Sequence, residues 1–379
     1  MRIAPPKLSA AEFPYRTMEE MAAQGLVCQE QLDGFMVNCF RKVNDTTLYI
    51  TSRSKIDAAG HFYSSASFRT LFIESYMKVA RSPLSEMEQL IQTYGNDMEA
   101  PNPAHQEIAV CYSFLVQHME HRIVTPIREN KTFLIHRCTV YEDGTVSVNN
   151  VNPVCRGQDT IPCIPFDMAV QGADQGADQG ADQGADQGAD QGADPNTPFQ
   201  DSAVVQWVKQ LCRSKTWEFQ GVVFKDSLGH RWRFRNDAYS MVKALRGNSA
   251  TSLERFSQLY TQDLLYLYLQ YYPDDNFYFS CHTIFMNMII NSIYEFYIAL
   301  FVTKTMQKEE IDRMYRPHVY AIHSLYLRQL RPDKKKVTPH HIICYFHEQP
   351  WQRIAFLLKR CQDAYFVQMG EIVQGGQDS

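Results

Sequence analysis
Up to about residue 170 the apolar residues gather in short runs rich in β-branched and aromatic side chains, the pattern of β-strands. Residues 34–41 (GFMVNCFR), 46–52 (TTLYITS) and 132–141 (TFLIHRCTVY) are such runs. Glu142-Asp143-Gly144 supplies a hairpin turn between the last of them and a short strand over 145–148. Apolar positions shift to three- and four-residue spacing near 68–80 and 84–93, which predicts two helices. Residues 203–213 also have helical spacing, and 217–225 with 230–236 reads as a second hairpin turning at 226–229. From about residue 248 the pattern is helical, through 253–269, 284–301 and 319–330. Thr338-Pro339 places an N-cap and a first-turn proline at the head of a further helix reaching His347. The predicted layout is an α+β domain of antiparallel sheets with flanking helices, followed by an all-α C-terminal domain.

A repeat divides this layout. From Gln171 the tetrapeptide Gln-Gly-Ala-Asp occurs six times, ending at Asp194. With no apolar side chain larger than alanine it has nothing to bury, so a flexible, self-repelling linker is expected. The expected boundaries are 1–170 and 196–247 for the two parts of the α+β domain and 171–195 for a disordered linker. The helical domain is expected over 248–366 and a flexible tail over 367–379. A chain of 379 residues, 45% hydrophobic, has material for a sizeable core and too much length for one compact domain.

Charge refines the picture. The net charge of −5 includes the six repeat aspartates, without which 37 basic residues stand against 36 acidic ones. Residues 1–170 hold 15 basic against 19 acidic groups, whereas 203–361 hold 22 against 13. The second half is basic, which leaves nucleic-acid contact open there. Ten scattered cysteines with no CxxC pair, and no charged-then-apolar leader, predict a reduced, intracellular protein with buried thiols. The most apolar run, 277–302, contains His282, Asn287, Asn291 and Glu295. A bilayer disfavours those groups, so a buried helix and no membrane partner are expected.

Four segments carry the candidate chemistry, in this order: Gln29-Glu30-Gln31-Leu32-Asp33-Gly34 before a strand; 114–127 (FLVQHMEHRIVTPI); 219–224 (FQGVVF); and 231–239 (RWRFRNDAY). Together they resemble the ATP-dependent RNA ligases of the T-even-phage RNA ligase 1 type, including relatives in large DNA viruses of eukaryotes. The family counterparts are a Lys-x-Asp-Gly nucleophile motif, a segment like FELxHPENRIV, a Glu-Gly-x-Val strand, and a Lys-x-Lys strand followed closely by tyrosine. Residues 51–62, including Arg53, and 67–74 are similar to the stretch after the nucleophile strand, and 320–359 to the helical tail of viral members. The resemblance covers nearly the whole chain apart from the repeat and the last dozen residues. It implies a nucleotidyltransferase domain of the ATP-grasp-like ligase kind, ahead of the helical domain.

In that family an unprotonated lysine attacks the α-phosphate of ATP and forms a phosphoramidate. Here Gln31 stands at that position, and its delocalised amide nitrogen is not a nucleophile, although Asp33 and Gly34 are kept. Leu115 replaces the glutamate expected at the ribose, and Gln220 replaces the glutamate expected to help hold the divalent metal. Glu218, two residues earlier, would share a strand face with Gln220 and is an open candidate for a displaced carboxylate. Arg233 and Arg235 stand for the two phosphate-contacting lysines and keep their charge with forked geometry. Phe35, where a small hydroxyl residue is usual, is expected to crowd the nucleotide pocket. Residues 6–15 are similar to the segment just before the nucleophile motif, so the family's upstream basic contacts are expected to be missing.

The resemblance with these losses implies a ligase scaffold with a dismantled site: a pseudoenzyme that binds RNA, or a structural or interaction protein with partners in a virion or viral factory. No cofactor is expected on that reading. An active ligase, requiring Mg²⁺ and ATP, or one sealing only pre-adenylylated RNA, remains the alternative. Arg328, Arg331, Lys334, Lys335 and Lys336 form a basic run that reads either as a solvated loop or as an RNA-backbone contact. His340, His341, Cys344 and His347 share one helix, but no second ligand pair at zinc spacing accompanies them, and no metal site is assigned.

Overall fold
A computed structural model describes residues 10–62, 66–94, 98–149, 159–165, 202–249 and 251–375. The Gln-Gly-Ala-Asp repeat lies outside the described residues, as do Pro6 and Lys7. Those described form an α+β unit to Lys243 and a helical unit from Ala244.

In the first unit the elements are α1 (Met18–Ala23), β1 (Val27–Glu30), β2 (Phe35–Lys42), β3 (Tyr49–Thr51), α2 (Phe68–Met77), α3 (Leu84–Tyr94), β4 (Glu107–Gln117), β5 (Lys131–Tyr141), β6 (Val146–Asn149), α4 (Ala203–Arg213), β7 (Gly221–Lys225) and β8 (Arg231–Arg235). α5 (Asp237–Arg246) spans the boundary between the units. The strands pair antiparallel into a five-stranded sheet, in the order β3-β2-β4-β5-β6, and a three-stranded sheet, β1-β7-β8.

Alternation along each strand gives every sheet a helix-packed face. Phe35, Val37 and Cys39 of β2 and Tyr112, Phe114 and Val116 of β4 pack with Leu71, Phe72 and Ile73 of α2 and with Met87 and Ile91 of α3. Cys28, Val222, Phe224, Trp232 and Phe234 of the smaller sheet pack with Phe13, Met21 and the Val204, Val205 and Val208 stripe of α4. Both layers have clear start signals. Ser67 Oγ accepts the Thr70 N–H at 3.1 Å at the head of α2, and Thr17 with Glu20 forms a capping box on α1. The remaining faces of the two sheets look toward each other. Lys225 Nζ, from β7, donates to the Ile135 carbonyl of β5 at 3.3 Å. The 159–165 strap bridges to Phe133 of β5 and Gln29 of β1.

The second unit contains α6 (Ser252–Thr261), α7 (Leu265–Tyr271), α8 (Asn276–Tyr297), α9 (Arg316–Leu325), α10 (Pro339–His347) and α11 (Trp351–Gly375). α11 packs on α6 and α8, and α10 on α8, around Phe256, Phe279, Ile289, Ile293, Ile342, Phe346 and Leu358. The helix expected over 253–269 is two helices, because Asp263 takes a left-handed conformation (φ 56°) that ends the first. α11 continues through Gly375, into the stretch expected as a tail.

The apolar run at 277–302 departs from the buried helix expected of it. Phe279, His282, Met286, Ile289, Ile290 and Ile293 are buried on one side, while Phe277 (72% exposed), Tyr278 and Ile284 face outward. Residues 273–302 are long and apolar enough to cross a membrane by length and composition.

Candidate functional site
The four sequence segments meet around one carboxylate. Asp33 follows β1 and is 5% exposed. Its Oδ2 accepts the Val124 and Thr125 N–H groups at 2.9 and 3.0 Å, and its Oδ1 accepts the Tyr239 hydroxyl at 2.9 Å. The Gln117 amide donates to the Asp33 carbonyl at 2.9 Å. The third segment joins through backbone bonds: Gln31 N–H donates to the Gly221 carbonyl at 2.8 Å, and Asn236 N–H to that of Gln220 at 2.9 Å. Thr125 Oγ1 donates to the Glu218 carbonyl at 2.8 Å. Segments up to 206 positions apart in the chain thus share one buried hydrogen-bond network.

Two glycines permit the close approach. A Cβ on Gly34 would lie 2.5 Å from the Val116 carbonyl oxygen, and one on Gly221 would overlap the Phe234 carbonyl oxygen. Gly34 and Gly221 therefore have a packing reason on this fold.

Gln31, Leu115 and Gln220 carry no formal charge. Gln31 is half-buried and Gln220 buried, and the amide oxygen of each is enclosed without a hydrogen-bond partner. Leu115 is buried among Phe133, Ile135 and Ile161, with Leu32 and Met36 against them. This apolar cluster lies on the face of the five-stranded sheet opposite α2 and α3, and Ile161 reaches it from the 159–165 strap.

Two expectations fail on geometry. Phe35 does not crowd the inter-sheet space: alternation on β2 turns it to the helical side, where its ring lies 4.9 Å from Phe68 and 4.7 Å from His121. Glu218 does not share a strand face with Gln220. β7 begins at Gly221, and Glu218 sits exposed in the preceding turn, its N–H donating to Thr216 Oγ1 at 3.4 Å.

Arg233 and Arg235 project from the same side of β8 as Arg231, since Trp232 and Phe234 point into the α4 layer. Arg233 is half-buried and Arg235 exposed. Lys243 of α5 joins them, although no motif singled it out. Burial lowers its proton affinity first, Arg235 and Arg233 add to this, and Asp33 opposes it. Its sequence signal is the i, i+4 spacing from Tyr239, which puts both on one helix face. Arg53 lies on the exposed loop after β3, outside the network that Asp33 organises.

In the helical unit Arg328, Arg331, Lys334, Lys335 and Lys336 are all exposed at the end of the helix that α9 begins. Arg328 Nε donates to the Ser324 carbonyl and Lys335 pairs with Asp333 at 3.1 Å. His340 Nε2 and Cys344 Sγ are 3.5 Å apart. His341 Nδ1 instead accepts the Thr338 N–H at the head of α10. Among the described residues no group of three or more His, Cys, Asp or Glu is placed to hold a metal ion.

Comparison of the chain with protein-family models and with curated proteins yields no match.

Proposed function
We propose that this chain is an RNA-ligase-like nucleotidyltransferase scaffold that has lost self-adenylylation and binds RNA along its basic β8–α5 edge. The observation that carries this reading is the meeting of the four motif-like segments at Asp33. At that meeting point stand Gln31, Leu115 and Gln220, which supply neither an amine nucleophile nor a carboxylate for ribose or metal. Arg233, Arg235 and Lys243 remain beside it as cations suited to phosphate oxygens. Gln31, Leu115 and Gln220 offer no carboxylate to hold Mg²⁺.

Incubation of the purified chain with labelled ATP and Mg²⁺ should give no covalent protein–AMP adduct; an adduct would sink the pseudoenzyme reading. Gln31→Lys alone should not restore one, because Leu115 and Gln220 stay unchanged. For RNA, the double substitution Arg233→Glu and Arg235→Glu should weaken binding to a single strand and flatten the log–log salt dependence by roughly 0.7 for each phosphate no longer neutralised. An unchanged slope would remove both arginines from the interface.

A further inference from the structure
Between the two sheets, at Lys225, Arg231 and His136, three basic side chains from three strands converge. Lys225 is 2% exposed and His136 is 1% exposed, and Arg231 beside them is half-buried. Lys225 and Arg231 are cross-strand partners on β7 and β8. His136 comes from β5 of the facing sheet and lies within the field of both. Among the described residues, Arg233 and the Cys163 thiol of the strap act on this set electrostatically, and the Ile135 carbonyl accepts from Lys225. No carboxylate of the described residues offsets them, and the strap's own Asp159 engages none of the three.

Both ring nitrogens of His136 and Nε of Arg231 are buried without a hydrogen-bond partner, as is the amide oxygen of Gln29. Native interiors leave few such groups, and each one costs stability. Two cations enclosed side by side without a counter-charge cost more. The strain shows in their proton affinities: burial and then Arg231 bring Lys225 down to about 7, and burial with both cations brings His136 to about 3. Burial and Arg233 bring Arg231 to about 10.

We propose that Lys225, Arg231 and His136 form a binding site for a phosphate monoester or free phosphate, entered past the half-buried Arg231. Ammonium, guanidinium and imidazole donors aimed from three strands suit a tetrahedral oxyanion, and two negative charges offset the two cations. A diester of a polynucleotide backbone carries one charge and continues on both sides, which suits donors enclosed between two sheets less well than a terminal phosphate does. The site uses side chains other than Gln31, Leu115 and Gln220, and does not depend on RNA being the physiological partner.

The test is thermal unfolding of the full chain with inorganic phosphate against chloride at equal ionic strength. Phosphate should raise Tm saturably by roughly 3–6 °C. Lys225→Met removes a buried unpaired cation, so without phosphate its Tm should equal or exceed the wild type, and the phosphate increment should vanish. Arg231→Gln, at a half-buried position that a polar side chain can occupy, keeps the test valid should the first variant fold poorly, and should weaken phosphate binding roughly tenfold. No phosphate-dependent rise, or a full rise in both variants, would overturn the site.

Matched RNAs with a 5′-phosphate or a 5′-hydroxyl distinguish the source. A phosphate preference that disappears in Arg231→Gln assigns the site to a polynucleotide end. Equal binding of the two RNAs, with inorganic phosphate still protective, assigns it to a small phosphate. If neither RNA binds while phosphate protects, the RNA-binding reading falls and the phosphate site stands.

Discussion

Replacing Asp33 by alanine should destabilise the α+β unit by about 4 kcal/mol, the largest loss expected from any side chain at the motif positions. Three charge-assisted hydrogen bonds end on this one buried carboxylate. Its removal strands the Val124 and Thr125 N–H groups and the Tyr239 hydroxyl in the interior of the unit. An asparagine at this position would behave differently. Its amide oxygen can keep the two backbone donors, and its NH₂ can donate to the Tyr239 oxygen, so Asp33→Asn should cost less than about 2 kcal/mol. Urea unfolding followed by the fluorescence of buried Trp232 reads the unit directly. A cost for alanine below about 1 kcal/mol would show that the segments are held together elsewhere. Equal costs for alanine and asparagine would mean that the charge, and not the bonding pattern, is what the site needs.

That expectation separates a structural role for Asp33 from a catalytic one, a distinction the motif alone does not draw. The order and spacing of the segments were legible because they are local: a turn glycine, a β-branched strand, an alternating basic strand. The strands 34–41 and 132–141 and the helices near 68–80, 84–93 and 203–213 were legible for the same reason. β4 was not set apart before residue 114, because Glu107–Gln117 is a central strand buried on both faces from Val110 to Val116 and shows no polar alternation. α5 was missed although Asn236 caps it through Oδ1 to the Ala238 N–H at 3.1 Å, a signal present in the sequence. The orientation of Phe35 was also legible in principle, since it shares period-two phase with Val37 and Cys39. Lys225 and His136 are a different matter. Neither has a neighbour in sequence that marks it, and burial of both between two sheets is set by pairings 90 residues apart.

The second large effect concerns backbone and not charge. Gly221→Ala should cost about 4 kcal/mol, combining a conformation at φ +138° that L side chains rarely adopt with a Cβ driven onto the Phe234 carbonyl and 2.9 Å from the Arg235 Cα. Neither atom can yield without shifting β8, because Val222 and Phe234, paired across β7 and β8, are locked into the α4 layer. The displacement would carry Arg233 and Arg235 with it and break the Gln31 N–H bond to the Gly221 carbonyl, so RNA affinity should fall together with stability. Gly25→Ala is the control. That glycine also has positive φ, at +63°, but nothing lies within 4 Å of its added Cβ, so only the backbone preference is lost, about 1 kcal/mol. If the two alanines destabilise equally, close packing of β7 on β8 is not what fixes Gly221. If Gly221→Ala lowers stability but leaves RNA affinity and its salt slope intact, then the RNA contact proposed for the arginines of β8 does not depend on the strand register.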